Sequence, residues 1–230
     1  MIEFTNSEIE DYSKSTVSGT GFLAYRDVEL LLTKHKLKPK RTLDLGCGSG
    51  RSIGVLKDMC ESITGCDINQ LALENTQKAF PDVPVFLNDL SSEQYPEENF
   101  DAIFSFLMFF HFDSLDAMRK ELTRCFNSLD KDGFLFIVHG NHSIATASYT
   151  SVKGMGHIPT KEGERFKVLL KNIDLVVEDS YWSIETLIKE SEDIGFHTME
   201  RHAPLGHTDD KQTYIDEYTV APYSYLILRK

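Results

Sequence analysis

Short apolar, β-branched runs recur along the chain at Thr42–Leu45, Ile63–Cys66, Val83–Leu87, Ala102–Phe106 and Phe134–Val138, with helically spaced segments between most of them. Runs this short and this uniformly apolar are strands buried on both faces. Parallel strands need a crossover connection, so strand–helix alternation predicts a parallel sheet with helices on both faces. The clearest helix follows Ser114, where Leu115, Met118, Leu122, Cys125 and Leu129 step by three or four before Gly133 leads into the next strand. The pattern changes near the C-terminal end. Ser183 caps a helix carrying Leu187, Ile188, Ser191 and Ile194, with Gly195 past its end, and strands follow near Phe196–His202 and Tyr223–Leu228. The loop joining these two strands is too poor in apolar residues for a crossover helix, which predicts an antiparallel pair.

No internal repeat and no Pro/Gly/Ser-rich linker divides the 230 residues, so one domain over 1–230 is expected. The 36 acidic against 24 basic residues give a formal charge of −12, which disfavours nucleic acid or an anionic membrane as partner and favours a small molecule. Cys47, Cys60, Cys66 and Cys125 form no C-x-x-C pair and no zinc spacing, so no metal is expected and the cysteines read as small buried hydrophobes. Met1–Thr5 lacks a basic region followed by an apolar run, and no stretch approaches the apolar length of a membrane span. A cytoplasmic protein, monomer or homodimer, is the expectation.

The chemistry concentrates in Leu43-Asp44-Leu45-Gly46-Cys47-Gly48-Ser49-Gly50, a strand running directly into a glycine-rich turn that opens a helix. Glycines there let the backbone bend sharply and let a ligand approach it closely. A dinucleotide fingerprint needs a glycine where Arg51 stands, and a P-loop needs a Lys-Ser/Thr that is absent. Asp44 brings negative charge toward the turn, which suits a cationic ligand and opposes a pyrophosphate; its bland alternative is a turn or cap aspartate. Seventeen residues after Gly50 the second strand ends at Asp67, where a nucleoside site places a carboxylate for the ribose hydroxyls. The third ends at Asn88-Asp89-Leu90, where a carboxylate, an amide and an apolar wall suit adenine. Taken singly, Asp67 and Asp89 also read as a cap and a turn residue.

In this order the residues resemble the class I S-adenosylmethionine (SAM) dependent methyltransferases. Leu43–Gly50 is similar to the family's first motif, Ile63–Asp67 to the acidic second, Asn88-Asp89-Leu90 to the adenine motif and Phe100–Ser105 to the fourth strand, and the likeness continues through Gly133–Ile137 to the final strand pair. The resemblance implies a Rossmann-like, seven-stranded mixed sheet with its last strand antiparallel. It implies SAM as cofactor, S-adenosylhomocysteine as product, and methyl transfer without a metal. It also implies a cofactor site made by Asp44, Gly46, Cys47, Gly48, Gly50, Asp67, Ile68, Asn88, Asp89, Leu90 and Phe106. The parts would then be an N-terminal lid and helix (1–40), a cofactor-binding core (41–139), an acceptor-side insert (140–182) and a C-terminal helix with its strand pair (183–230).

Three leftover segments bear on the methyl acceptor. In small-molecule members of the family an N-terminal segment folds over the cofactor, which implies Tyr25 facing the methyl group and Arg26 holding the SAM carboxylate, with Tyr12 as the competing tyrosine. The alternative is an amphipathic helix on the sheet edge. His111 follows the fourth strand within Phe106–Phe112, where the family often has a histidine. A neutral imidazole there can take a proton from an acceptor hydroxyl or orient it, and the resemblance to phosphoethanolamine methyltransferases implies a histidine paired with an N-terminal-segment tyrosine; a satisfied structural histidine is the other reading. The region His139–Tyr181 reads as a mobile loop, spanning Thr150–Gly163, followed by a β-hairpin turning near Asn172, with His139, Tyr181 and Trp182 as candidate substrate contacts. A methyl acceptor that is a small molecule, attacked through oxygen or nitrogen, is the expectation; a protein or tRNA methyltransferase and a SAM-binding regulator without turnover are the rivals.

Overall fold

The computed structural model describes residues 1–97 and 99–230. Its main sheet has seven strands: β1 (Arg41–Leu45), β2 (Ser62–Asp67), β3 (Val85–Leu87), β4 (Phe100–Phe106), β5 (Leu129–Gly140), β9 (His197–His202) and β10 (Tyr223–Arg229). Their order across the sheet is β3-β2-β1-β4-β5-β10-β9. β1 to β5 run parallel, and β10 lies antiparallel between β5 and β9. The expected seven-stranded mixed sheet is therefore present.

Period-two alternation splits the core into two layers. Phe104 and Phe106 of β4, Phe134, Phe136 and Val138 of β5, and Tyr225 and Ile227 of β10 face one layer. Ile103, Leu135, Ile137, Leu226 and Leu228 face the other. The first layer is closed by α2 (Val28–Lys34), α3 (Arg51–Leu56) and, through Leu73, α4 (Gln70–Ala79). The second is closed by α5 (Leu115–Ser128) and α6 (Ile184–Ile194). Ser114 and Ser183 cap α5 and α6 through their hydroxyls, accepting from the Ala117 and Thr186 amides at 3.3 and 3.1 Å.

Before the sheet, α1 (Asn6–Ser13) begins with a capping box between Thr5 and Glu8 and leads through a 3-10 turn at Gly19–Ala24 to α2. After β5, residues 140–182 form a second sheet rather than a loop and hairpin alone. β6 (Val152–Met155) pairs antiparallel with β7 (Arg165–Leu170), which pairs with β8 (Leu175–Ser180). The reversal between β7 and β8 encloses Asn172. The strand β6 falls inside Thr150–Gly163, the stretch read from sequence as a mobile loop. Its signal is weak because the strand is short and Gly154, a poor strand former, interrupts it. That glycine is needed: a Cβ there would stand 2.6 Å from the Ala145 backbone.

Side chains bind these outlying parts together. The Thr20 hydroxyl donates to Glu217 at 2.6 Å and accepts from the Ser151 amide at 2.9 Å, while the Thr150 amide donates to the same Glu217 oxygen at 2.7 Å. N-terminal segment, insert and C-terminal loop thus meet at one buried carboxylate.

Candidate active site

In an open α/β sheet, ligands bind beyond the carboxyl ends of the strands where the crossovers diverge. Here that point lies between β1 and β4, and two cavities open there. The inner one holds about 120 Å³ and runs past Gly46, Asp67, Asn88, Phe106 and His111 under Met1–Phe4. The outer one, about 340 Å³, runs past Cys47, Gly50, Arg51 and Tyr25. Tyr12, Gly46, Gly48, Ser49 and Phe106 line both.

The turn is shaped by backbone conformations that favour glycine: Gly46, Gly48 and Gly50 have φ of 77°, 53° and 89°. At Gly48 a Cβ would meet no atom within 4 Å, so the missing side chain is space given to the cavity. Asp67 binds the turn to the second strand, accepting from the Gly48 amide and the Asn69 amide, each at 2.9 Å. Burial pushes its carboxyl above the usual carboxylate range, against those amides, which pull it down. A carboxylate in this state gains from further donors, as two ribose hydroxyls would be.

Asp44 sits beneath the turn, fully buried, and lines neither cavity. One of its oxygens accepts from Ser52 at 2.5 Å; the other has no partner among the described residues. Burial, with Asp67 adding like-charge repulsion, pushes it up to about 7. A cation bound above would oppose that rise by favouring the charged form. The orphaned oxygen, the open space at Gly48 and the cavity-facing Asp67 fit a cationic nucleoside.

The third-strand residues part company. Asn88 lines the inner cavity and Ile68 does too. Asn88 is fixed by a buried network, donating to Glu121 at 3.1 Å and accepting from Arg124 at 2.9 Å. Asp89 is exposed, lines neither cavity and spends its carboxylate on the Ser91 amide and hydroxyl; the Leu90 carbonyl accepts from Lys120 at 2.8 Å. The bland turn reading of Asp89 is what the geometry shows.

Arg26 requires a correction. Its guanidinium donates to Asp27, to Asp210 and to the Leu205 carbonyl, all at 2.7 Å, and it lines neither cavity. The cation at the outer cavity is Arg51, whose guanidinium lies 4.5 Å from the Tyr12 ring centroid and donates to the Tyr12 carbonyl at 3.0 Å and to the Ser15 hydroxyl. The sequence signal is present, since Arg51 opens the helix directly after the glycine turn, but there it serves only as the residue that breaks a dinucleotide fingerprint. Tyr25 stacks on Phe106 at 4.8 Å in the outer cavity.

On the acceptor side, three expected substrate contacts turn out to be structural. His139 is buried, its Nε2 2.7 Å from the Trp182 carbonyl, and the Trp182 indole donates to the Phe112 carbonyl at 2.8 Å. Tyr181 packs edge-on against His142. None of the three lines either cavity. His139 and Trp182 join the insert to the sheet, whereas Tyr181 packs within the insert, roles that an aromatic Tyr-Trp pair on a loop does not disclose. His111 does line the inner cavity, with Phe4 edge-on to its ring at 5.2 Å and its carbonyl accepting from the Ile2 amide at 2.7 Å. Met1–Phe4 and Met108, also lining, carry no sequence signal.

Among the described residues no group of three or more His, Cys, Asp or Glu is arranged to hold a metal ion, and no helix is long and apolar enough to cross a membrane.

Residues 43–137 match the family described as "Methyltransferase domain". That stretch is under half of the chain; over it the chain is similar to methyltransferase domains, and the sheet order and glycine turn are those of the class I SAM-dependent methyltransferase fold. It is 36% identical over 112 residues to the ribosomal protein L11 methyltransferase of Helicobacter pylori, 46% of this chain and 33% of that protein. It is 36% identical over 84 residues to a Pseudomonas putida tRNA U34 carboxymethyltransferase, 33% of this chain and 26% of that protein. The matches thus span a third or less of these curated relatives. Among solved structures, SAM-bound CalS10, an amino pentose methyltransferase from Micromonospora echinaspora, superposes with a TM-score of 0.65 at 13% identity, covering 100% of this chain and 99% of that one. At that identity the likeness is one of fold.

Proposed function

We propose that the chain binds SAM along the two cavities and transfers its methyl group to an oxygen or nitrogen of a small molecule. The observation that carries this reading is the single line of cavity from Asp67, through the glycine turn, to His111, covered on the far side by Met1–Phe4 and Tyr12. Bound SAM supplies an electrophilic methyl carbon on a positively charged sulfur. Asp67 accepts from the ribose, Asn88 and Ile68 border the base, the Gly46–Gly48 backbone lies against the nucleoside, and Asp44 offsets the cationic amino acid end from below. Arg51 takes the carboxylate role expected of Arg26.

His111 and Tyr25 handle the acceptor. As an acceptor hydroxyl is methylated, its proton would pass to the His111 imidazole. Burial holds His111 down to about 4, so the ring is neutral and able to accept. Alignment in a dry, apolar-walled pocket supplies the larger share of the rate enhancement.

The names of the matched relatives point to protein or tRNA acceptors, but the shared stretch is under half of this chain. The cover of the inner cavity favours a small acceptor over a polymer. Incubating the protein with methyl-labelled SAM and, separately, a metabolite extract, bulk tRNA and a protein lysate decides the matter. Label is expected in the metabolite fraction; label only in tRNA or protein overturns the small-molecule reading, and none in any fraction leaves a SAM-binding protein without turnover.

A further inference from the structure

His111 has a neighbour that neither the glycine-turn motifs nor the acceptor reading uses. Its Nδ1 lies 3.6 Å from an Asp179 oxygen, and both atoms are buried with no hydrogen-bond partner among the described residues. Asp179 comes from β8 of the insert, far along the chain from His111, and its side chain is only 9% exposed. In β8 its neighbour behaves differently: Glu178 points out to Arg165 at 2.9 Å, whereas Asp179 points in. A buried carboxyl without a partner is costly, and so is a buried imidazole nitrogen. Each supplies what the other lacks.

We propose that Asp179 is a positioning residue for His111: its carboxylate accepts from Nδ1–H, which fixes the imidazole tautomer and leaves Nε2 bare toward the cavity. The inference rests on the reading of His111 as the group that takes the acceptor proton. Without Asp179 the ring's proton is free to sit on Nε2, where it would block that role. When Nε2 gains the acceptor proton, the carboxylate beside Nδ1 balances the imidazolium charge formed. The 3.6 Å separation is longer than a hydrogen bond, as expected where closure on ligands brings catalytic groups together. The arrangement also gives the insert a catalytic reason to exist: β8 carries the carboxylate in, and His139 with Trp182 anchors the strand's end to β5 and to the loop of His111.

Burial pushes Asp179 above the usual carboxylate range and His111 below the usual imidazole range, so each stands to gain from a proton shared with the other.

The test is long-range proton–nitrogen NMR of the histidine rings in the full chain, with and without S-adenosylhomocysteine. His111 is expected as the Nδ1–H tautomer in the wild type and in Asp179→Asn, whose amide oxygen still accepts, and as Nε2–H or a mixture in Asp179→Leu. Methyl transfer from SAM at a fixed concentration of metabolite extract should fall at least about tenfold in Asp179→Leu. In the His111→Ala background, adding Asp179→Leu should cause no further loss. SAM affinity by calorimetry should be unchanged in either single variant. An unchanged tautomer in Asp179→Leu, or equal losses in the presence and absence of His111, overturns the pairing. Loss of SAM binding by the wild type itself overturns the reading beneath it, which the tautomer measurement does not depend on.

Discussion

The cofactor side and the acceptor side of the site are built in opposite ways. At the cofactor side the residues that meet are close in sequence or lie at the ends of adjacent strands: Asp67 reaches back to Gly48 across 19 positions, and Ser52 to Asp44 across 8. At the acceptor side they come from distant segments, Ile2 to His111 and His111 to Asp179. A parallel sheet delivers the first group automatically, because every strand ends at the same edge. The second group depends on an N-terminal helix and an inserted sheet folding back over that edge. In the proposed reading, binding of the nucleoside is thus a property of the sheet, whereas choice of acceptor belongs to what has been laid over it.

The contrast can be broken most severely at Asp67. Asp67→Ala removes the carboxylate proposed to accept from the ribose, two charge-assisted hydrogen bonds of about 1.5 to 3 kcal/mol each, and calorimetry should show SAM affinity reduced at least about a hundredfold. Near-normal affinity would show that the sheet edge does not hold the nucleoside. Next comes Asp44. Its folded pKa of about 7 lies above the ordinary 3.8, so the stability it contributes is fully present below the lower value and lost as pH rises through the upper. Between pH 5 and 8 the free protein should lose about 3 kcal/mol through this group alone; urea unfolding of Asp44→Asn should lack that loss, and SAM should suppress it in the wild type. An identical pH slope in the two proteins would mean that Asp44 stays ionised.

Arg51→Ala should weaken SAM binding about tenfold, as for one hydrogen-bonded charge. Arg26→Ala, the smallest effect, should leave affinity within error while lowering the melting temperature, since its partners Asp27 and Asp210 hold the N-terminal segment to the C-terminal loop. Calorimetry giving the reverse order would restore Arg26 to the carboxylate.

The same contrast explains what the sequence discloses. The strand array and the glycine turn are legible because short apolar runs and turn residues are local signals, and five of the seven main strands follow one another in sheet-forming units. Asp89 misleads because a carboxylate after a strand looks the same whether it turns toward a ligand or, as here, toward Ser91. Arg26 and Arg51 are both cations near apolar helices, and only the fold reveals that acids surround the first and a cavity the second. His139 and Trp182 resemble pocket residues because an aromatic or imidazole group on a loop carries no record of the carbonyl it will meet. Asp179 gives no signal at all: in Leu175–Ser180 it is one of two adjacent acids, and which one points inward depends on register.

One consequence of the sheet order concerns how the molecule is made. β10 lies between β5 and β9, although β9 precedes it in the chain. A chain leaving the ribosome can assemble β1 to β5 as it emerges, but β9 has no edge to join until Tyr223–Arg229 has been synthesised and inserted beside it. Until then β5 keeps an open, apolar edge, and a nascent chain halted before Tyr223 would be the species most in need of a chaperone.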